Sequence, residues 1–169
     1  KLHDIPNTVA SAAKSVSHIN PRFLTVHASG GTDMVKAATQ ALPHVDITAV
    51  TILTSLSEAD LQEVGFAKSA LESAVQLAEV SVAAGAKAIV CSPLEVESIR
   101  AAVGPTPTII TPGVRPAGSA LGDQARVMTP ADAIAAGSTF LVIGRPITSL
   151  ESSQLMLDKA REISDSISQ

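Results

Sequence analysis

Short apolar runs alternate along this chain with longer alanine-rich segments, and this alternation constrains the fold more than any other feature. The apolar runs lack a clean alternation of polar and apolar residues, which is typical of parallel strands buried on both faces. They predict five strands, at 22–27, 47–53, 87–91, 107–111 and 139–143. The segments with helical spacing predict helices at 7–17, 31–41, 68–84, 93–103, 130–136 and 150–167. The regular order predicts one α/β domain over residues 1–169.

Residues that begin and end helices agree with this order. The predicted N-caps are Ser57, Ser92 and Thr129, and the predicted stops are Gly85, Gly104 and Gly137. In the last helix, one apolar stripe is expected to face the sheet, namely Leu150, Leu155, Leu157, Ala160 and Ile163.

Two architectures fit an α/β chain, an open doubly wound sheet and a (β/α)8 barrel. No G-x-G-x-x-G follows a predicted strand, which weakens the dinucleotide-binding option. The last two strands are followed by TPGVRP (111–116) and VIGRP (142–146), each with a glycine and an arginine. Barrels commonly bind phosphate after their last two strands, so these segments favour a barrel. Only five of its eight strands are visible, and we expect its N-terminal strands to be missing from this chain.

Composition excludes several classes of function. The net charge of −4 and the pI near 5.5 argue against a nucleic-acid surface, and no apolar run is long enough to cross a membrane. No His, Asp or Glu group has convincing metal-ligand spacing, so no metal is expected. Cys91 is the only cysteine, which excludes an internal disulfide, favours the cytoplasm and suggests a small buried side chain.

The chain opens with an ammonium, an imidazole and a carboxylate within four residues, Lys1, His3 and Asp4. A lysine beside carboxylates at a strand end can hold a proton and deliver it to a developing carbanion. The alternative is a solvated segment in which Asn7 or Thr8 caps the first helix. His3 is expected to fix this turn. His27 ends a predicted strand and could face the mouth of the barrel, but a satisfied histidine near the core is favoured.

Several motifs together resemble the orotidine 5′-phosphate decarboxylase family. They occur in the family's order and approximate spacing along nearly the whole chain: KLHDIPNT (1–8), VHASGG (26–31), TILTS (51–55), VCS (90–92), TPGVRP (111–116), GDQARVMTP (122–130) and VIGRPIT (142–148). The family's signature also has an aspartate two residues before the lysine, and this chain begins at the lysine.

The resemblance implies a cofactor-free (β/α)8 barrel that converts orotidine 5′-monophosphate to uridine 5′-monophosphate and CO2. It implies a homodimer whose active sites lie at the subunit interface. By resemblance, Lys1 protonates C6 of the pyrimidine, while Asp4 and Thr8 reach the partner's site. Thr54 resembles a residue that contacts the nucleotide.

The phosphate-binding residues implied by the resemblance are Arg115, Gln124, Gly144 and Arg145. The segment 113–124 is rich in glycine and predicts a lid that places two of them over the phosphate.

Two other functions remain open at this stage. One is a magnesium-dependent sugar-phosphate decarboxylase or aldolase of the same superfamily, which shares the Lys-x-x-Asp element. The other is a non-catalytic phosphate-binding fragment, because the chain alone is expected to be unable to close a barrel.

Overall fold

The computed structural model describes residues 1–116 and 128–167, and within these residues the strands form one parallel sheet. Its strands are β1 (Phe23–His27), β2 (Asp46–Val50), β3 (Ala88–Val90), β4 (Thr108–Thr111) and β5 (Phe140–Leu141). Each strand lies within or one residue outside an apolar run, so all five predicted strands are confirmed. β2, β3 and β5 end before their apolar runs do, because the last residues of these runs already belong to the loops that follow.

Helices follow the strands in the predicted alternation. They are α1 (Pro6–Ser15), α2 (Gly31–Ala41), α3 (Glu58–Glu63), α4 (Ala70–Ala83), α5 (Val96–Val103), α6 (Pro130–Ala135), α7 (Arg145–Thr148) and α8 (Ser153–Ile167). The predicted helix at 93–103 is divided into a 3-10 turn, Pro93–Glu95, and α5. The helical spacing of the sequence did not predict α3 and α7, although the predicted N-cap Ser57 marks the start of α3.

The signals for helix ends are largely confirmed. The side chains of Ser57, Ser92 and Thr129 each accept a hydrogen bond from a backbone N–H of the helical turn that follows. Gly85, Gly104 and Gly137 follow α4, α5 and α6 with positive φ. The alternative N-cap at Asn7 or Thr8 is wrong, because α1 begins at Pro6 with Ile5 as its N-cap. Proline suits the first helical position, where its missing N–H leaves no hydrogen bond unmade.

The order of the strands distinguishes a barrel from a doubly wound sheet. Each strand pairs with the next one in sequence, from β1 to β5. A doubly wound sheet reverses this order at a switch point, and its helices cover both faces. Here α1 packs on α2, α2 on α4 and α4 on α5, so these helices form a single row. The sheet is therefore the wall of a barrel with its helices outside.

The wall is strongly curved. The rings of Phe23 on β1 and Phe140 on β5 have centroids 6.0 Å apart. These strands are the first and the last of five, and in a flat sheet they would be about 19 Å apart at the usual strand spacing. Two phenylalanine side chains cannot span that distance, so the sheet bends its two edges toward each other.

Alternate residues of the strands face either the helices or the concave side. Ala49, Ile89 and Ile109 are paired neighbours in the sheet, and all three are fully buried. They belong to the hydrophobic core between the sheet and the helices. The next residue along each strand lines a cavity on the other face.

The apolar stripe predicted for the last helix is only partly confirmed. In α8 only Ile163 is buried, while Leu155 and Leu157 are 50% and 45% exposed. The helix also begins three residues later than predicted, at Ser153. The prediction was wrong for these two leucines, which stay exposed although α8 contacts α6 and α7.

Within the described residues, no helix combines the length and the apolar composition that a bilayer crossing needs.

Candidate active site

Residues 1–3 lie along the free edge of β1 and form a short parallel bridge with it. The N–H of Leu2 donates to the carbonyl of Thr25 (2.9 Å), and the N–H of His27 donates to the carbonyl of Leu2 (2.9 Å). Leu2 packs against the core, as does its pairing partner Val26. Because side chains alternate along an extended chain, Lys1 and His3 project toward the opposite, concave face.

That face contains a cavity of about 560 Å³, a volume typical of sites for small molecules. Lys1 and residues from all five strands or the loops after them form its wall: Phe23, Thr25, His27, Thr48, Val50, Ile52, Leu53, Thr54, Val90, Ile110, Pro112 and Val142. Among these lining residues, only Lys1 and His27 can carry a positive charge. The wall is otherwise mostly apolar, and charges interact more strongly beside apolar groups than in water.

His27 and His3 form a stacked pair beside Lys1. Their ring centroids are 5.5 Å apart and their planes differ by 26°. Burial lowers the pKa of His27 below its usual 6.5, and the positive charges of His3 and Lys1 lower it further. The neutral form of His27 is therefore favoured next to the lysine.

Thr54 reaches the cavity from the loop after β2. Thr54 is 8% exposed. The loop is fixed at its start by Thr51, whose N–H and hydroxyl both donate to the carbonyl of Val90, at 3.0 and 3.1 Å. The structure thus brings Thr54 and Lys1 to the same cavity.

Asp4 and Thr8 do not line this cavity. Asp4 accepts a hydrogen bond from the N–H of Ile5 through Oδ1 (2.7 Å), and its side chain is exposed. Thr8 is exposed in the first turn of α1. Both residues are therefore exposed at the surface, outside the wall of the cavity.

Arg115 lies in the loop after β4 and is 9% exposed. Its N–H donates to the carbonyl of Met128 (3.0 Å), and its Nη1 donates to the carbonyl of Val114 (2.9 Å). Val114 and Met128 pair as a parallel bridge, which joins the two ends of segment 115–128. Gln124 and most of the predicted lid at 113–124 lie outside the described residues.

Gly144 and Arg145 follow β5, and Arg145 begins α7 with its side chain exposed. A Cβ at Gly144 would meet no atom within 4 Å, so there is open space beside this backbone. Neither Arg115 nor Arg145 lines the cavity, but Pro112 and Val142, each three residues earlier, do. Both arginine segments therefore start from the cavity wall.

Within residues 1–116 and 128–167, no three His, Cys, Asp or Glu side chains group as metal ligands do. Cys91 is buried at the end of β3, as the sequence predicted for a small apolar side chain.

The chain was compared with known proteins. Residues 1–158 match the family described as "Orotidine 5'-phosphate decarboxylase / HUMPS family". The chain belongs to this family. It is similar to the protein named orotidine 5′-phosphate decarboxylase from Thermobifida fusca, with 62% identity over 88% of this chain and 64% of the relative. The protein of the same name from Anaeromyxobacter sp. strain K is 57% identical over 87% of this chain and 65% of the relative. The chain thus spans just under two thirds of the length of these curated relatives.

A solved structure supports the same assignment. The crystal structure of orotidine 5′-phosphate decarboxylase from Lactobacillus acidophilus superimposes with a TM-score of 0.84 and 34% sequence identity. The match covers 100% of this chain and 73% of that structure. The predicted (β/α)8 barrel class is therefore confirmed, and the five strands described above form part of such a barrel.

Sequence reasoning favoured the wrong alternative for His27. It preferred a place near the core to one at the mouth of the barrel, whereas the structure places His27 in the wall of the cavity. The sequence did contain a signal for this position. His27 is two residues after Thr25, at the carboxyl end of the same strand. Side chains two residues apart on a strand face the same side.

Proposed function

We propose that the protein to which this chain belongs converts orotidine 5′-monophosphate to uridine 5′-monophosphate and CO2, with no metal or other cofactor. The observation that carries the proposal is the position of Lys1 in the wall of a largely apolar cavity at the carboxyl ends of the strands. Active sites of (β/α)8 barrels lie at this end of the strands. The names of the relatives at 62% and 57% identity support the same reaction.

Lys1 serves in this proposal as a cation and then as an acid. The bond between C6 of the pyrimidine and the carboxylate carbon breaks, CO2 leaves, and the electron pair remains on C6. A fixed ammonium beside C6 stabilises this developing negative charge, and the apolar wall strengthens that interaction. The proton then moves from Nζ of Lys1 to C6, which gives the product.

The phosphate of the substrate is assigned to Arg115, Gln124, Gly144 and Arg145. Open space beside Gly144 would allow an anion to approach the backbone, and the exposed Arg145 follows it directly. Arginine suits phosphate because its N–H groups make charge-assisted hydrogen bonds in a fixed geometry. Thr54 contacts the nucleotide between the phosphate and Lys1. Phosphate binding far from the reacting bond can be used to order the site around that bond.

The protein is proposed to act as a cytoplasmic homodimer with shared active sites. Asp4 and Thr8 are exposed and lie outside the wall of their own subunit's cavity. Ile5 lies beside Asp4 and is 66% exposed, so this segment offers an apolar side chain to a partner surface. In a dimer, this segment would be covered and Asp4 would reach the partner's lysine.

A chimera tests the proposal. The part of the T. fusca relative that precedes its match to Lys1 is joined to residues 1–169, and the purified protein is mixed with orotidine 5′-monophosphate. We expect loss of substrate absorbance, stoichiometric release of CO2, and activity unchanged by EDTA. The same chain without the added part serves as a control and is expected to bind uridine 5′-monophosphate more weakly and to lack turnover.

Two results would replace this function with another. A requirement for Mg²⁺, with no binding of uridine 5′-monophosphate, would favour the sugar-phosphate enzyme. Binding of inorganic phosphate by the chimera without any turnover would favour a phosphate-binding protein.

A further inference from the structure

The stacked imidazoles of His3 and His27 lie beside Lys1 but take no part in the chemistry proposed above. They come from two different segments, residues 1–3 and the end of β1. His27 also lines the cavity together with Lys1. A contact that joins the lysine's own segment to the cavity wall can determine where the lysine lies.

The backbone pairs residues 1–3 with β1 through Leu2 and Val26, with two hydrogen bonds of 2.9 Å. This pairing determines the face of the sheet on which Lys1 and His3 lie, but it does not determine the rotamers of their side chains. The structure supplies a second attachment through the side chain of His3.

His3 is held on three sides. Its ring stacks on His27, and its Nε2 lies 3.5 Å from the hydroxyl oxygen of Ser29, at the limit of a hydrogen bond. Its Cδ2 lies against the backbone of Gly30, where an added Cβ would be only 3.3 Å away. These contacts fix His3, and through the extended backbone of Leu2 they fix the direction of Lys1.

The charge state of the pair is compatible with this arrangement. Burial and the neighbouring positive charges lower the pKa of His27. A neutral ring can pack beside the ammonium of Lys1 without repelling it.

We propose that His3 and His27 are positioning residues for Lys1, and that their stacked rings hold residues 1–3 against β1 so that the ammonium lies at a fixed place in the cavity. This proposal rests on the proposed function, because it concerns the placement of the proton donor. A misplacement of about 1 Å can cost an enzyme about a hundredfold in rate. Loss of the stack should therefore lower kcat rather than substrate binding.

Four variants of the chimera test the role of the rings. His27→Leu and His3→Leu remove the aromatic stack but keep an apolar side chain of similar size. His27→Phe and His3→Phe keep a ring that can stack and remove the ring nitrogens. For each protein we would measure kcat, KM, the dissociation constant of uridine 5′-monophosphate and the melting temperature.

The expected pattern differs from that of a general structural defect. Each leucine variant should lose about tenfold to a hundredfold in kcat, with KM and the dissociation constant changed less than threefold. Each phenylalanine variant should recover to within about threefold of the parent. His3 is exposed, so the His3 variants test the proposal even where a substitution at His27 impairs folding.

Three outcomes would overturn the proposal. They are leucine variants with the parent's kcat, equal losses in the leucine and phenylalanine variants, and a rise of KM in step with the loss of kcat. Each of these leaves the parent chimera active and so does not affect the proposed function. A parent chimera without turnover would instead overturn the function, and this inference with it.

Discussion

Phe23 and Phe140 make an edge-to-face contact with a centroid distance of 6.0 Å and an interplanar angle of 73°, although they belong to the first and last strands of the sheet. The guanidinium carbon of Arg22 lies 5.0 Å from the centre of the Phe23 ring and 5.5 Å from that of Phe140. Each ring belongs to the first residue of its strand, and Phe23 also lines the cavity that contains Lys1. The contact therefore ties the two edges of the wall together beside the candidate site.

This contact should contribute a measurable coupling energy. In a double-mutant cycle of Phe23→Leu and Phe140→Leu, we expect the two substitutions to interact by about 0.5–1.5 kcal/mol, the usual range for aromatic pairs. The measurement is the free energy of unfolding in urea. Phe66→Leu combined with Phe140→Leu is the matched control, because Phe66 follows α3 and is no part of this contact. Additive effects of Phe23→Leu and Phe140→Leu would show that the ring contact contributes no stability of its own.

Arg100 joins three segments at the amino ends of β4 and β5. Its guanidinium donates to the carbonyls of Pro107 (2.6 Å) and Gly137 (3.1 Å) and to the hydroxyl of Thr139 (3.1 Å). Arg100→Met should lower the free energy of unfolding by about 2–3 kcal/mol, because partly buried carbonyls lose a charged donor. Arg161→Met is the control, since Arg161 has only an exposed ion pair with Asp158 and should cost less than about 1 kcal/mol. Equal effects of the two substitutions would show that the hydrogen bonds of Arg100 add no more stability than an exposed ion pair.

The strands could be predicted from sequence because a parallel strand buried on both faces is a continuous run of apolar residues. Ile89 and Val90 illustrate this, since one faces the helices and the other the cavity, yet both are apolar. The helices α3 and α7 could not be predicted in the same way. α7 has only four residues, about one turn, and α3 was marked only by its N-cap Ser57. α6 is as short as α3, but Thr129 and Pro130 at its start and Gly137 after its end made it predictable.

The candidate site was predictable only in part. Lys1 and Thr54 follow recognisable motifs, and the structure places both in one cavity. The pairing of His3 with His27 depends on which residue of the opening segment bridges to β1, and a shift of one residue would reverse every side chain. Sequence alone does not specify that register. The roles assigned to all eight site residues stay predictions: Lys1, Asp4, Thr8, Thr54, Arg115, Gln124, Gly144 and Arg145.

Acidification should destabilise the protein through His27. Its pKa is lowered in the folded state, chiefly by burial, so the unfolded chain binds a proton more readily. Stability from this group is therefore full above pH 6.5, the usual histidine value, and falls as the pH drops below it. We expect the free energy of unfolding to fall less steeply from pH 7.5 to 5.5 in His27→Phe than in the parent. Parallel pH profiles would contradict the lowered pKa.

Lys1→Ala in the chimera should abolish decarboxylation and leave binding of uridine 5′-monophosphate within about threefold. The product carries no carboxylate, so its affinity depends mainly on contacts far from the reacting carbon. Lys14→Ala removes another exposed lysine, on α1 and outside the cavity, and should retain full activity. If Lys1→Ala weakens product binding as strongly as it lowers the rate, Lys1 is a binding residue and the proton comes from another group.

Arg145→Ala should have the opposite effect from Lys1→Ala, because it should weaken the binding of every phosphorylated ligand. A charged contact that becomes buried on binding is worth roughly 2–5 kcal/mol when one partner is removed, a loss of about thirtyfold or more in affinity. Titration calorimetry with uridine 5′-monophosphate and with uridine separates the phosphate from the rest of the ligand. The loss should appear for the nucleotide alone, because uridine has no phosphate for the guanidinium to bind.

Arg161→Ala on α8 is the matched control and should bind both ligands as the parent does. An unchanged affinity of Arg145→Ala for the nucleotide would remove this arginine from the phosphate site. The loop after β4, which carries Arg115, would then have to hold the phosphate alone.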